Sequence, residues 1–353
     1  MKNCNILVNI MLFHALLINA LLAQQNITPT LQAQESSDTN EDLNEKAAQI
    51  VDLFYALNGD VNKPHKKINH EKGFCAKAEF IPNKKVANSF DIPLLKASKI
   101  EVSVRFSLGG GEQSDKSKGR AMALKMHAKN QTTKENQLAN KEDFWEIAMT
   151  NSRINFATNA DEFIEFMQIN LGQKQGRLTP QEASIRRAKV PSFVNFAKEI
   201  ESLGISPSFA NNAYHSVHTF FFTKSSGETI PARFSFVPKE GIKYLKPSEL
   251  DILGDDFLES NFKKQLKSKN IAFNLTLEVA KNSDSISDTA TVWTKDKRER
   301  ITLGTLKINE FSGYECNGEV FMPQILPQGI LPPRDNIFDV RNMVYALTFG
   351  KRQ

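Results

Sequence analysis

Near the end of the sequence Arg341 and Tyr345 stand four residues apart, a spacing that puts a guanidinium and a phenol on one helix face. A guanidinium one turn from a phenol stabilises phenolate, a possible metal ligand, although the same pair also occurs on solvated helices. Imidazoles are few: of 6 His, one is in the first twenty residues and the others are His65, His70, His127, His215 and His218. On an extended segment His215 and His218 fall out of phase and face opposite sides, so sharing one metal would require a turn between them. No HExxH, no G-x-S-x-G and no Gly-Lys-Ser/Thr phosphate loop is present, which removes zinc protease, serine hydrolase and P-loop chemistry. Cys75 and Cys316 have no CxxC or Cys/His metal spacing; they are either one bridge or two buried thiols.

These groups need a scaffold, and the composition supplies one: 40% hydrophobic residues, with 25 Phe against 5 Tyr and 2 Trp, imply a substantial Phe-rich interior. The net charge of +5, from 45 Lys and Arg against 40 Asp and Glu, is spread along the chain and does not describe a nucleic-acid binder. Residues 1–23 read as a secretory signal peptide, with an apolar run from Ile6 to Leu22 and a cut after Ala23. Asn9, His14 and Asn19 make that run weak as a membrane span, so the expectation is export to the periplasm or the medium without stable membrane insertion. Residues 24–58 form a polar lead-in and a helix carrying Ala47, Ile50, Val51, Phe54 and Leu57, stopped by Asn58-Gly59.

From residue 59 to 353 the pattern is that of one α+β domain on a mainly antiparallel sheet or barrel. Period-two alternation over Ile100 to Ser107 predicts a strand with Arg105 and Ser107 on one face. Further strands are expected at Phe74 to Ile81, Val217 to Thr223, Ala232 to Val237, Ala272 to Val279 and Arg300 to Ile308, with a hairpin at Lys224 to Glu228. Helices are expected at Glu142 to Met149, Ala160 to Gln168, Asp255 to Lys267 and Asn336 to Phe349. Another should start at Pro180 behind a Thr179 capping box and break at Pro191.

Several local stretches, in order, resemble the haem catalase family, and specifically its short catalase-related peroxidases without the long N-terminal arm and C-terminal helical domain. Asn69-His70-Glu71-Lys72-Gly73 is similar to the stretch that supplies the distal histidine, and Val104-Arg105-Phe106-Ser107 to the Val-Arg-Phe-Ser strand. Arg120 with Ala123-Leu124-Lys125-Met126 follows, then His215-Ser216-Val217-His218-Thr219-Phe220, Lys239-Glu240-Gly241-Ile242-Lys243 and the proximal Arg341-Asn342-Met343-Val344-Tyr345. The resemblance covers His65 to Arg352. It implies a catalase-like antiparallel β-barrel with surrounding helices and a haem pocket.

It also implies roles. Tyr345 would be the axial ligand of haem iron, kept as phenolate by Arg341; His70 the distal acid/base, with Ser107 as orienting partner. Arg105, Arg352 and Lys67 would hold the propionates, and Phe163 would stack on the distal face. The family's distal Asn falls on Thr150, or on Asn151 if the alignment slips by one, and this departure favours a peroxidase over an efficient catalase. The implied activity is reduction of hydrogen peroxide or an organic peroxide by a small organic donor, with weak catalase activity at most. The alternatives are a true catalase and an exported haem-binding or haem-carrying protein, and an oligomer is compatible with each.

Overall fold

A computed structural model describes residues 41–60, 62–111, 113–128, 143–293 and 297–353. The leader read at 1–23 and the lead-in from 24 to 40 lie outside them. The compact unit Ala47–Gln353 holds every element below except the first turn of α1 (residues 41–58). Ala47, Ile50, Val51 and Phe54 form the buried stripe of that helix, at the spacing the sequence predicts.

The elements that follow are β1 (Gly73–Pro82), α2 (Lys84–Ala87), β2 (Ile100–Leu108), β3 (Arg120–Ala128), β4 (Asp143–Thr150), α3 (Ala160–Lys174), α4 (Pro180–Arg187) and α5 (Pro191–Ser202). After them come β5 (Tyr214–His215), β6 (Phe220–Thr223), β7 (Thr229–Pro238), α6 (Pro247–Asp251), α7 (Leu258–Ser268), β8 (Ala272–Val279), β9 (Arg300–Phe311), β10 (Ile330–Leu331) and α8 (Phe338–Gly350). Pairing runs β1-β2-β3-β4-β5-β7-β8-β9 and returns to β1, every pair antiparallel, so eight strands close a barrel while β6 and β10 extend from β7. Closure removes the free sheet edges that an open sheet would expose.

Alternation on each strand sends Phe74, Val104, Phe106, Leu124, Trp145, Phe234, Phe236 and Phe273 into the barrel. Each such side chain contributes roughly 1.5–3 kcal/mol by leaving water. The helix expected at Glu142 to Met149 is instead β4 over its described residues. There Trp145, Ile147 and Met149 are buried and alternate with half-buried Glu146 and Ala148. Tertiary pairing with β3 overrides the helix-forming Glu, Ala and Met of that stretch. β3 itself, rich in Ala, Met, Leu and Lys, had no strand signature. The Thr179 capping box is present, and the break at Pro191 separates α4 from α5. Lys224 to Glu228 does close the β6–β7 hairpin, its Lys224 N–H donating to Glu228 C=O at 2.7 Å.

The outer face of one side of the barrel has small side chains in register. Gly73, Ser107, Ala121, Thr150, His215 and Ser235 are successive cross-strand partners, and Cys75, Arg105, Ala123 and Ala148 form the neighbouring row. Small residues along the middle of both rows leave a shallow floor, over which α1, α3, α5 and α8 make walls.

Candidate active site

Between that floor and the helices lies a cavity of about 710 Å³, within the range of small-molecule and cofactor sites. His70, Ser107, Thr150, Lys67, Arg105, Phe163, Arg341, Tyr345 and Arg352 all line it, so residues drawn from across the sequence converge on one space.

His70 comes from the loop before β1 and takes a left-handed backbone, φ 57°, uncommon for any residue with a Cβ. Its Nδ1 lies 2.9 Å from the Leu108 carbonyl. A carbonyl only accepts, so Nδ1 carries the proton and the neutral ring keeps its lone pair on Nε2. Burial first, then the Arg105 charge, push the imidazole down to about 4, so it is an unprotonated base at neutral pH. The ring is therefore oriented by the Leu108 carbonyl rather than by the Ser107 hydroxyl expected from the resemblance; Ser107 lies on the floor of the same cavity.

At one end of the cavity three basic side chains gather. Arg105 donates from Nε to Asn317 Oδ1 at 2.7 Å and from Nη2 to the His70 carbonyl at 2.7 Å. Arg352 donates to the carbonyls of Asn317 at 3.2 Å and Glu319 at 3.4 Å, and Lys67 also donates to the Glu319 carbonyl. The Glu319 carboxylate pairs with Lys125 at 2.7 Å. Burial, followed by the charges of Arg105 and Arg352, pushes Lys67 down to about 6; burial and then Arg352 push Arg105 down to about 10. Gly73 sits beneath: a Cβ there would lie 2.8 Å from Arg105 Nη2 and 2.8 Å from Ser107 Cβ. A bridge joins Cys75 to Cys316, resolving the two sequence alternatives, and Cys316 precedes Asn317, the residue that holds both arginines.

On α8, Arg341 donates from Nη2 to the Tyr345 hydroxyl oxygen and to the Ala148 carbonyl, each at 3.2 Å. Behind Arg341 is a pair the sequence did not suggest. His218 donates from Nδ1 to Asp335 at 2.8 Å, both side chains 1% exposed. Burial lowers the His218 pKa, while Asp335 acts in the opposite direction. The other Asp335 oxygen accepts from the N–H groups of Ile337 at 3.2 Å and Phe338 at 2.9 Å, capping α8. An Asp just ahead of a predicted helix was the available signal for it.

His215 and His218 face different surroundings, as expected, but by a turn and not by strand alternation. His218 N–H donates to the Ser216 carbonyl at 2.6 Å around Val217, whose φ is 53°. This three-residue turn is a strained arrangement for a β-branched residue. It leaves His215 on the wall of the large cavity and His218 behind Arg341.

Opposite the cations, His215 Nδ1 is 2.7 Å from Ser235 Oγ, and burial first, then Arg153, push its ring down to about 4. Thr150, its cross-strand partner, donates to the Ser152 carbonyl at 3.3 Å. Asn151 spends both ends of its amide, accepting from Arg120 N–H and donating to the Lys118 carbonyl, each at 2.9 Å. Of the two, Thr150 is the one whose hydroxyl stands in the floor row. Phe163 packs 4.6 Å from Phe156 and edge-on to Phe54 at 5.9 Å.

The family model for catalase matches residues 60–353. Among curated proteins, the chain is 28% identical over 291 residues to a catalase-related peroxidase of Synechococcus elongatus, covering 80% of this chain and 82% of that one. It is 24% identical over 311 residues to a catalase-related peroxidase of Mycolicibacterium paratuberculosis, covering 86% and 94%. Solved structures of a bacterial catalase and a fungal catalase superpose with TM-scores of 0.67 at 15% identity, covering 81% and 82% of this chain. The chain spans only 57% and 60% of their lengths, and the shared feature is the fold.

Proposed function

The chain belongs to the catalase family, and from that membership we propose that it is a haem-dependent peroxidase that reduces hydrogen peroxide or an organic peroxide with a small organic donor. The observation that carries this reading is convergence: one cavity is lined by a neutral imidazole with its lone pair on Nε2, by the Arg341–Tyr345 pair and by the three basic side chains Lys67, Arg105 and Arg352. These residues fit a flat, apolar dianion with a metal at its centre. The floor is of small side chains, and the cation cluster has a place for carboxylates. Tyr345 would hold the iron through its phenol oxygen, Arg105, Arg352 and Lys67 the propionates, and Phe163 the ring.

A bound haem would supply the redox-active iron at which peroxide is reduced. The chain supplies the proton traffic. His70 Nε2 takes the proton from one peroxide oxygen and returns it to the other as water leaves, while the Leu108 carbonyl holds the ring in its working tautomer. Arg341 keeps the Tyr345 oxygen in place, and Asp335 with His218 backs Arg341. Thr150 offers a shorter and already committed hydroxyl where an amide would reach farther, which supports one-peroxide turnover with an organic reductant over disproportionation. The Cys75–Cys316 bridge supports export to an oxidising compartment, periplasmic or extracellular, as the site of action.

Titrating haem into the purified chain while recording optical spectra tests the reading. Wild type should take up one equivalent and Tyr345→Phe should lose that uptake or its charge-transfer bands; an unchanged spectrum and load in Tyr345→Phe overturns the ligand assignment. With haem bound, a dye-oxidation assay should be clearly positive and an oxygen electrode nearly silent.

A further inference from the structure

We propose that the His215 end of the cavity is a subsite for a neutral aromatic alcohol, a phenol-class reductant, held by its hydroxyl on the imidazole and by its ring against phenylalanines. The proposal rests on the peroxidase reading and names the donor which that reading leaves open.

The argument begins with position. Ser107, Ala121, Thr150 and His215 are cross-strand partners on four adjacent strands, and three inter-strand steps amount to about 14 Å. His215 is therefore a second imidazole well removed from the His70 and Arg105 end, and the proton chemistry assigned to His70 leaves it without a task. Its ring is fixed: Nδ1 is committed to Ser235 Oγ at 2.7 Å, which leaves Nε2 as the polar atom the ring presents to the cavity. With the pKa near 4 the ring is uncharged at neutral pH, able to exchange a hydrogen bond with a neutral hydroxyl but not to attract an anion.

Charge around this end cancels. Glu199 on α5 and Arg153 face His215, and their side chains bind each other through two bonds, Nε to Oε1 at 2.9 Å and Nη2 to Oε2 at 2.7 Å. Thr150 adds a hydroxyl beside the ring and no charge. The apolar wall comes from the same helix: Phe196 and Ile200 flank Glu199 on α5 and line the cavity, and Phe196 meets Phe156 edge-on at 5.7 Å. An aromatic guest gains area and edge-to-face contacts there. A carboxylate would be desolvated beside an arginine already paired with Glu199, whereas the opposite end offers Arg105 and Arg352.

Calorimetric titration of the full chain, haem-loaded and haem-free, with phenol and with anisole, which keeps the ring but has no O–H to donate, tests this. Wild type should bind phenol about tenfold more tightly than anisole in both forms. His215→Phe should bring the two within twofold while leaving anisole affinity unchanged, and His215→Gln, which can still exchange a hydrogen bond, should keep most of the preference. An intact preference in His215→Phe, no preference in wild type, or a preference seen only without haem overturns the subsite. Haem uptake is read in the same samples: failure to load haem overturns the peroxidase reading, whereas normal loading without phenol preference overturns the subsite alone.

Discussion

The two ends of the cavity share one floor and differ in everything above it. Gly73, Ser107, Ala121 and Thr150 run along the same face of the barrel, but the first end is roofed by Lys67, Arg105 and Arg352 and the second by α5 with its self-neutralised Arg153–Glu199 pair. Charge at the first end is held by carbonyls and the Asn317 amide, groups that orient a cation without cancelling it. At the second, a carboxylate does cancel it. The lesson is that a regular sheet provides a place to lie flat, while loops and helices decide which chemistry lies there.

The largest effect should come from the first end. His70→Ala should slow the reaction with peroxide roughly 10²- to 10⁴-fold, as expected for loss of general acid/base help, without lowering haem content; stopped-flow mixing checks it. Next, Arg105→Ala removes a charge-assisted contact and should weaken haem retention about 10- to 100-fold in apo-myoglobin transfer. Phe196→Ala, at the other end, should change it by less than about threefold; equal losses would break the contrast between the ends.

A smaller effect concerns pH. His70 and His215 are pushed down to about 4 and His218 is lowered too, burial being the largest cause in each, whereas an ordinary imidazole titrates at 6.5. Between these values the unfolded chain binds more protons than the folded one. The stability present above pH 6.5 should thus be lost as pH falls toward 4. Urea denaturation midpoints at pH 7, 5.5 and 4.5 measure this, and the slope should flatten in His215→Gln. The smallest is a fractional proton: Lys67, near 6 under the influence of burial, Arg105 and Arg352, against Glu319 and with Lys125 beyond, should gain a proton when carboxylates dock at pH 7 to 8. Calorimetry in buffers of different ionisation enthalpy would register the uptake, and Lys67→Met should abolish it.

Much of this was legible in one dimension. Ile100 to Leu108 and Ala272 to Val279 announce themselves by alternation, Thr179-Pro180-Gln181-Glu182 by its capping chemistry, and the ordered motifs carry His70, Arg105, Ser107, Arg341 and Tyr345. What failed to show was whatever depends on partners distant in sequence. β3 and β4 are built from Ala, Met, Glu and Lys, and become strands because the barrel has a place between β2 and β5 for them. His218 finds Asp335 across 117 residues, and Leu108 takes the role expected of Ser107 because a left-handed His70 turns its ring toward a carbonyl.

The bridge between Cys75 and Cys316 has a topological consequence. It turns the chain from 75 to 316 into a covalent ring containing nearly all of the barrel, and leaves two tails whose roots are 5.9 Å apart at Cα. One tail carries Lys67 and His70, the other Arg341, Tyr345 and Arg352. They are fastened to each other by His65 Nδ1 on the Arg352 carbonyl at 2.7 Å and Lys351 on Asp52 at 3.0 Å. Peeling either tail away uncovers the floor without breaking the hydrogen-bond ladders between β2, β3 and β4. Rooted side by side, the tails stay at high effective concentration for one another and close again as a pair.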